Sequence, residues 1–198
     1  MAGRNCECYL RCMHALNEQI VSTVKRWLET VILGYTLCPF ARKVYEEKTI
    51  RYATSTATTE EELLKHLHDE LELLVRHPEI ETTLLIHPEV LQDFLDYNDF
   101  LSLADDLVDD LRYEGVFQVA SFHPQYQFAD TEPDDAENYT NRSPYPILHL
   151  LREESVTKAI ESHPDIDSVP VRNQTLMRDL GAEQMKAILV SCLAGPQN

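Results

Sequence analysis

Thr82-Thr-Leu-Leu-Ile-His87-Pro88 decides the fold class. Its apolar core is continuous rather than alternating, the pattern of a short strand covered on both faces. A strand buried on both sides belongs in a sheet whose connections are helices packed above and below it. Immediately upstream, Thr59-Glu-Glu-Glu62 matches a capping box, and Leu63, Leu64, Leu67, Leu71 and Leu74 then trace one helical face as far as Arg76. Before that helix, Ile50, Tyr52 and Thr54 alternate in Thr49-Ile-Arg-Tyr-Ala-Thr54, which predicts a first strand. Downstream, Pro88 suits the first position of a short helix reaching Tyr97. Tyr97-Asn98 marks a break, and a second helix is expected from Asp99 to Tyr113, with Phe100, Leu103, Leu107, Val108 and Leu111 on its apolar stripe. Gly115 closes it, and Val116–Phe122 is the third strand. An amphipathic helix over residues 18–35 precedes these elements, and helices over 146–162, 170–180 and 182–194 follow them.

The expected fold is therefore α/β: a single helix-rich domain with a small, mainly parallel sheet of about three strands, linked by helical crossovers and flanked by N- and C-terminal helices. Residues 17–198 are expected to form that domain, with residues 1–16 an irregular N-terminal extension. A chain of 198 residues with 43% apolar and 26% charged residues has the length and composition for one full core.

Charge narrows the partners. Against 17 basic residues stand 34 acidic ones, a net charge of −17, which argues against a nucleic-acid backbone or an anionic membrane surface as partner. The longest near-apolar run, Val31–Ala41, is too short to span a bilayer, and the N-terminal residues show no secretory signal pattern, so a cytoplasmic location is the expectation. Five cysteines, an odd number, fit a reducing compartment better than a disulfide framework. Cys6, Cys8 and Cys12, with His14, do not follow the paired spacing of zinc ribbons. Gly-rich phosphate loops, Walker lysines and His-Glu-X-X-His motifs are missing, and the sequence leaves the cofactor unknown.

Three constellations carry the chemistry-bearing residues. His87-Pro88 and His123-Pro124 each follow a predicted strand, so parallel strands would place both imidazoles at the carboxyl edge of the sheet, where open α/β sheets bind ligands. Each is open to a catalytic role or to the plainer one of bonding a nearby carbonyl. Cys38-Pro39-Phe40-Ala41-Arg42 places a thiol at a helix start beside a cation, an arrangement that favours a thiolate, although free cysteines are more often small buried hydrophobes. The segment from Phe122 to Pro146 gathers Gln125, Tyr126, Asn138, Tyr139, Asn141, Arg142 and Tyr145, either as a pocket wall or as a long loop pinned by its own side chains. His149 and Arg152 fall on the helix expected after it.

The leading expectation is an enzyme acting on a small polar or anionic metabolite at the C-terminal strand ends. His123 would be its acid–base group, with Cys38 and His87 as further catalytic residues. Arg42, Gln125, Tyr126, Asn138, Tyr139, Asn141, Arg142 and Tyr145 would bind the substrate. The alternatives are a metal-dependent hydrolase using His87, His123 and Asp130, and a non-catalytic binding or adaptor protein using the 122–146 loop.

Several blocks carry a resemblance. Trp27-Leu28, Leu37-Cys-Pro-Phe-Ala41, Thr83-Leu-Leu-Ile-His-Pro88, Asp93-Phe-Leu-Asp-Tyr-Asn-Asp99, Gly115-Val-Phe-Gln118, Ser121–Asp130 and Asn138–Pro146 resemble, in order, the bacterial proteins grouped as domain of unknown function 1415. The resemblance spans roughly residues 20–182 and leaves residues 1–16 outside. It implies no activity, cofactor or catalytic residue for this chain.

Overall fold

The computed structural model describes residues 2–163 and 165–194, with side chains from Cys12 onward. Helix α1 (Ala2–Trp27) passes into a π-helical turn (Leu28–Leu33), followed by α2 (Ala41–Glu46), β1 (Ile50–Thr54), α3 (Glu60–Arg76) and β2 (Thr82–Ile86). Then come α4 (Phe94–Asp110), β3 (Phe117–Phe122), a 3-10 turn (Ala136–Thr140) and β4 (Ile147–Arg152). The chain continues through α5 (Glu153–Glu161), a second 3-10 turn (Ile166–Ser168), α6 (Val169–Leu180) and α7 (Ala182–Ala194).

The helix-rich α/β architecture is as expected, but the sheet has four strands and is mixed, in the order β1-β2-β4-β3. β1 and β2 are parallel, and β4 runs antiparallel to both β2 and β3. The three strands read from the sequence therefore do share one direction. Between the second and third of them lies a strand where a helix over 146–162 was expected. Ile147 sits in register between Ile86 and Phe122. Three further expectations are corrected. Most of the stretch expected as an irregular extension, 1–16, is helical within α1. The two helices expected between Pro88 and Tyr113 are one, α4, capped by Asp93, whose carboxylate accepts from the main chain of Leu95 at 2.8 Å. Residues 88–93 form the loop that leads into it.

Side chains on the two sheet faces build two cores. Ala53, Leu85, Leu148, Leu150 and Phe117 pack under α3 and α4. Leu84, Ile86, Ile147, Phe122 and Ile50 pack on the opposite face, against Trp27, the π-turn, α6 and α7. α3 starts at the predicted cap: the Thr59 hydroxyl accepts from Glu62 N, while the Glu62 carboxylate reaches one residue further back than a capping box requires and accepts from Thr58 N. The π-turn closes on Gly34 because a β-carbon there would collide with the Thr30 carbonyl oxygen. Among the described residues, no helix is long and apolar enough to cross a membrane.

Tyr97, from α4, holds the start of β4: its buried hydroxyl donates to the Ile147 carbonyl at 2.8 Å. Tyr97→Phe keeps the ring and leaves that carbonyl short of a donor. The expected outcome is a loss of about 1–3 kcal/mol in urea unfolding with an unchanged m-value.

Candidate functional site

The strand-end histidines are buried completely, and main-chain groups already occupy most of their nitrogens. His87 donates from Nδ1 to the Val90 carbonyl at 3.0 Å, and His123 pairs through Nε2 with the Leu91 carbonyl at 3.2 Å. Because a carbonyl only accepts, Nε2 of His123 carries the proton. Its Nδ1 accepts from the Gln125 amide at 3.0 Å, so the ring has no free lone pair. Tyr97 packs against both, 5.7 Å from the His87 ring and 5.0 Å from the His123 ring. Burial among aromatics disfavours the charged imidazolium. It depresses the His87 pKa to about 4 and pushes His123 below its ordinary value, against the opposing pull of the Leu91 carbonyl.

The segment between β3 and β4 is turned inward. Asn138, fully buried, accepts from Phe128 N and Thr131 Oγ1 through its carbonyl and donates to the Glu132 oxygen. Asn141 donates to the Ser121 carbonyl, and Tyr139 is buried under the Arg142 guanidinium. Arg142 itself donates to the Tyr126 and Pro133 carbonyls. Tyr126 packs between Phe94 and Phe128, and Tyr145 packs against the core on the Trp27 side. A shallow hollow of about 450 Å³ does lie near the strand ends, lined in part by Gln125 and Arg142. Asp93 and Asp134 line it as well, two carboxylates against one guanidinium already bonded to main chain. That is a poor seat for an anion.

The larger cavity, about 1020 Å³, lies elsewhere, over the opposite sheet face. Ile50, Leu84, His149 and Ala120, one residue from each strand, contribute to its floor. Phe40 and Val44 of the α2 region wall one side, Val156 and Ala159 of α5 the other, and Trp27 and Leu37 the back. Trp27 is tied in place by donation from its indole N–H to the Arg142 carbonyl at 2.9 Å and by edge contact with Phe122. Arg152 also borders the cavity, but its guanidinium donates to the carbonyls of Leu74, His77 and Ile80 at the end of α3. Residues 19–187 match the family model described as protein of unknown function (DUF1415). The chain belongs to that family. Every residue named in the cavity wall lies inside the matched span, whereas Cys12 and His14 lie before it. No curated protein and no solved structure matches the chain.

His149 is the cavity's main polar feature and is absent from the sequence-based set, because it was assigned to a helix. On β4 it reaches Thr82, whose hydroxyl lies 2.7 Å from Nε2 and donates to the Leu150 carbonyl at 2.6 Å. The single hydroxyl proton is committed to that carbonyl, so the Nε2–H must donate to the threonine oxygen. Nδ1 is left with a lone pair that meets no partner among the described residues and belongs to a ring that lines the cavity. The surrounding protein shields the ring from bulk water and lowers its pKa to about 4.

Of the predicted site residues, Cys38 and Asn141 line this cavity, and Gln125 and Arg142 line the shallow hollow. His87, His123, Arg42, Tyr126, Asn138, Tyr139 and Tyr145 line neither. The structure thus does not bring His123, Cys38 and Arg142 into one cavity. Arg42 is exposed and paired with Glu46 at 3.8 Å. Burial raises the Cys38 thiol above its ordinary pKa, opposed in part by the Phe40 and Ala41 amides, so the sulfur is protonated at neutral pH. Among the described residues no group of three or more His, Cys, Asp or Glu is placed to hold a metal ion. His123, with both nitrogens engaged, has none to offer one, which corrects the His87/His123/Asp130 ligand set.

Two outcomes follow from these environments. The unfolded chain protonates its histidines near pH 6.5, whereas folded His87 and His149 resist protonation down to about pH 4. Between those values the unfolded state binds more protons, so each ring weakens the fold by about 1.4 kcal/mol per pH unit as the pH falls. In urea unfolding between pH 6.5 and 5, His149→Gln should show a shallower dependence than wild type by about that slope. For the thiols, iodoacetamide at pH 7.5 should label Cys38 at least tenfold more slowly than exposed Cys12, followed by peptide mass spectrometry.

Proposed function

We propose that the chain binds a small, largely apolar molecule in the cavity between the sheet and helices α2, α5 and α6. The observation that carries this reading is the cavity itself: about 1020 Å³, walled mainly by aliphatic and aromatic side chains on rigid elements. Ligand pockets of soluble proteins are concave, mostly apolar spaces of up to about 1000 Å³ with a few placed polar groups. The construction of α5 supports the same reading. The helix is amphipathic, yet none of its residues is fully buried, and Val156 and Ala159 front the cavity. An apolar guest would cover surface that the fold leaves wet.

The expected metabolite at the strand ends has less support, since the hollow there is shallow and flanked by carboxylates. The adaptor reading is also weaker, because Asn138 and Tyr139 are spent inside their own loop. His149 and Cys38 are both uncharged at neutral pH, so binding, rather than turnover, is what this site supports best.

Trp27 is the chain's single tryptophan and stands in the cavity wall, which gives a direct readout. Titration with the neutral dye N-phenyl-1-naphthylamine should be saturable at one site per chain and should perturb Trp27 emission. Ala120→Phe, which fills the floor from β3, should weaken the dye at least tenfold while the far-UV circular dichroism stays unchanged. A wild-type protein that shows no saturable binding overturns the proposal.

A further inference from the structure

We infer that the molecule taken by the sheet-face cavity is a neutral aromatic compound bearing a phenol-type hydroxyl, which donates a hydrogen bond to Nδ1 of His149. The inference rests on the cavity being the binding site, and adds what the guest must carry.

The donor requirement comes from the Thr82 relay. Thr82 fixes His149 in the Nε2–H tautomer because its own hydroxyl donates its hydrogen bond to the Leu150 carbonyl at 2.6 Å, leaving its oxygen to accept from Nε2. The free nitrogen is therefore an acceptor, and a ligand that only accepts hydrogen bonds gains nothing from it. A guest that displaces water from this apolar floor without an O–H for Nδ1 would leave the acceptor unmet, a cost that a donating hydroxyl avoids.

Neutrality comes from the charges around the site. The Arg152 guanidinium, on the cavity wall, is spent on the carbonyls of Leu74, His77 and Ile80. Lys158 pairs with Glu154 across one turn of α5, and exposed Lys43 is outnumbered on the lining by Glu47 and Glu81. An anion would enter against these carboxylates and a chain of net charge −17, and find only a neutral imidazole at the floor.

Aromatic character comes from the rings that bound the space. Trp27 and Phe122 meet edge to face at 5.3 Å, Phe122 lies 6.0 Å from the His149 ring, and Phe40 stands on the α2 side. A flat ring can stack among them and still direct a hydroxyl at His149.

Displacement of N-phenyl-1-naphthylamine by 4-propylphenol and by 4-propylanisole tests this. The two differ in whether the oxygen carries a proton. The phenol should displace the dye at about five- to tenfold lower concentration than its methyl ether, and His149→Leu should abolish the preference. Should that variant misfold, nitrogen-15 NMR of the wild-type imidazoles provides the second measure. The unprotonated Nδ1 resonance of His149 should move on adding the phenol and stay in place with the ether. If both compounds displace the dye equally, or the resonance ignores the phenol, the inference fails and the apolar cavity still binds. If neither compound nor the dye binds, the underlying reading fails with it.

Discussion

A strand with sheet partners on both sides must send alternate side chains to two covered faces, and that constraint on β4 organises the whole molecule. β4 joins β2 to β3, so without it the sheet would be two separate pieces. Its entry is held from three directions: the Pro146 carbonyl accepts from His87 N, the Ile147 carbonyl from the Tyr97 hydroxyl, and the Arg142 carbonyl from the Trp27 indole. α4 supplies one of these ties, α1 another, and the end of β2 the third. Alternation along β4 then follows without further choice. Leu148 and Leu150 complete the core under α3 and α4, while Ile147, His149 and Leu151 turn to the other face. The side chain on the cavity floor is thus fixed by the same register that closes the sheet.

The strand-end imidazoles have a structural task in that arrangement. Leu91 sits at φ 56°, a left-handed conformation that costs a non-glycine residue about 1–2 kcal/mol. His123 bonds its carbonyl and His87 bonds that of Val90, so the two rings pin the turn that delivers Asp93 to the start of α4. The same logic explains the wealth of Asn, Arg and Tyr between β3 and β4. A connection this long must satisfy its own amides, and Asn138 and Arg142 do so with side-chain bonds to the loop's main chain. Hydrogen-bonding density along a sequence is therefore shared by pocket walls and self-pinned loops, and burial separates them.

Legibility in the sequence tracked how local the determining physics is. The Thr59 cap, the leucine stripe of α3 and the doubly covered β2 were all readable, because each depends on contacts within a few residues or on one simple pattern. β4 was not. Ile147-Leu-His-Leu-Leu-Arg152 is a short apolar run, and α5 begins at the next residue with no side-chain cap and no glycine between them. With nothing to punctuate the junction, the strand and the amphipathic helix merge into one helical pattern over 146–162. Pro144 and Pro146, which favour extended backbone before Ile147, were the available signal. The opposite error occurred at Tyr97-Asn98, where polar residues looked like a break. The helix continues because Tyr97 is buried against both histidines and bonded to β4, contacts between residues far apart in the chain. Missing β4 meant missing His149, and with it the cavity.

His87 and His149 each carry an unpartnered nitrogen, and the contrast between them shows why only one bears on ligand binding. Nε2 of His87 is sealed in the core with its ring stacked on Tyr97, so no solute reaches it and its cost of roughly 1–3 kcal/mol is simply carried by the surrounding packing. Nδ1 of His149 belongs to a ring that lines open space, with Thr82 and Leu150 spent on fixing its tautomer. A leucine at position 149 would complete the apolar floor with no polar group to satisfy. Folding alone therefore gains little from the histidine, since its one bond is to a threonine that already has a main-chain partner. What the histidine adds is a directed acceptor on an apolar floor, and such an acceptor favours a guest that donates to it over one that does not.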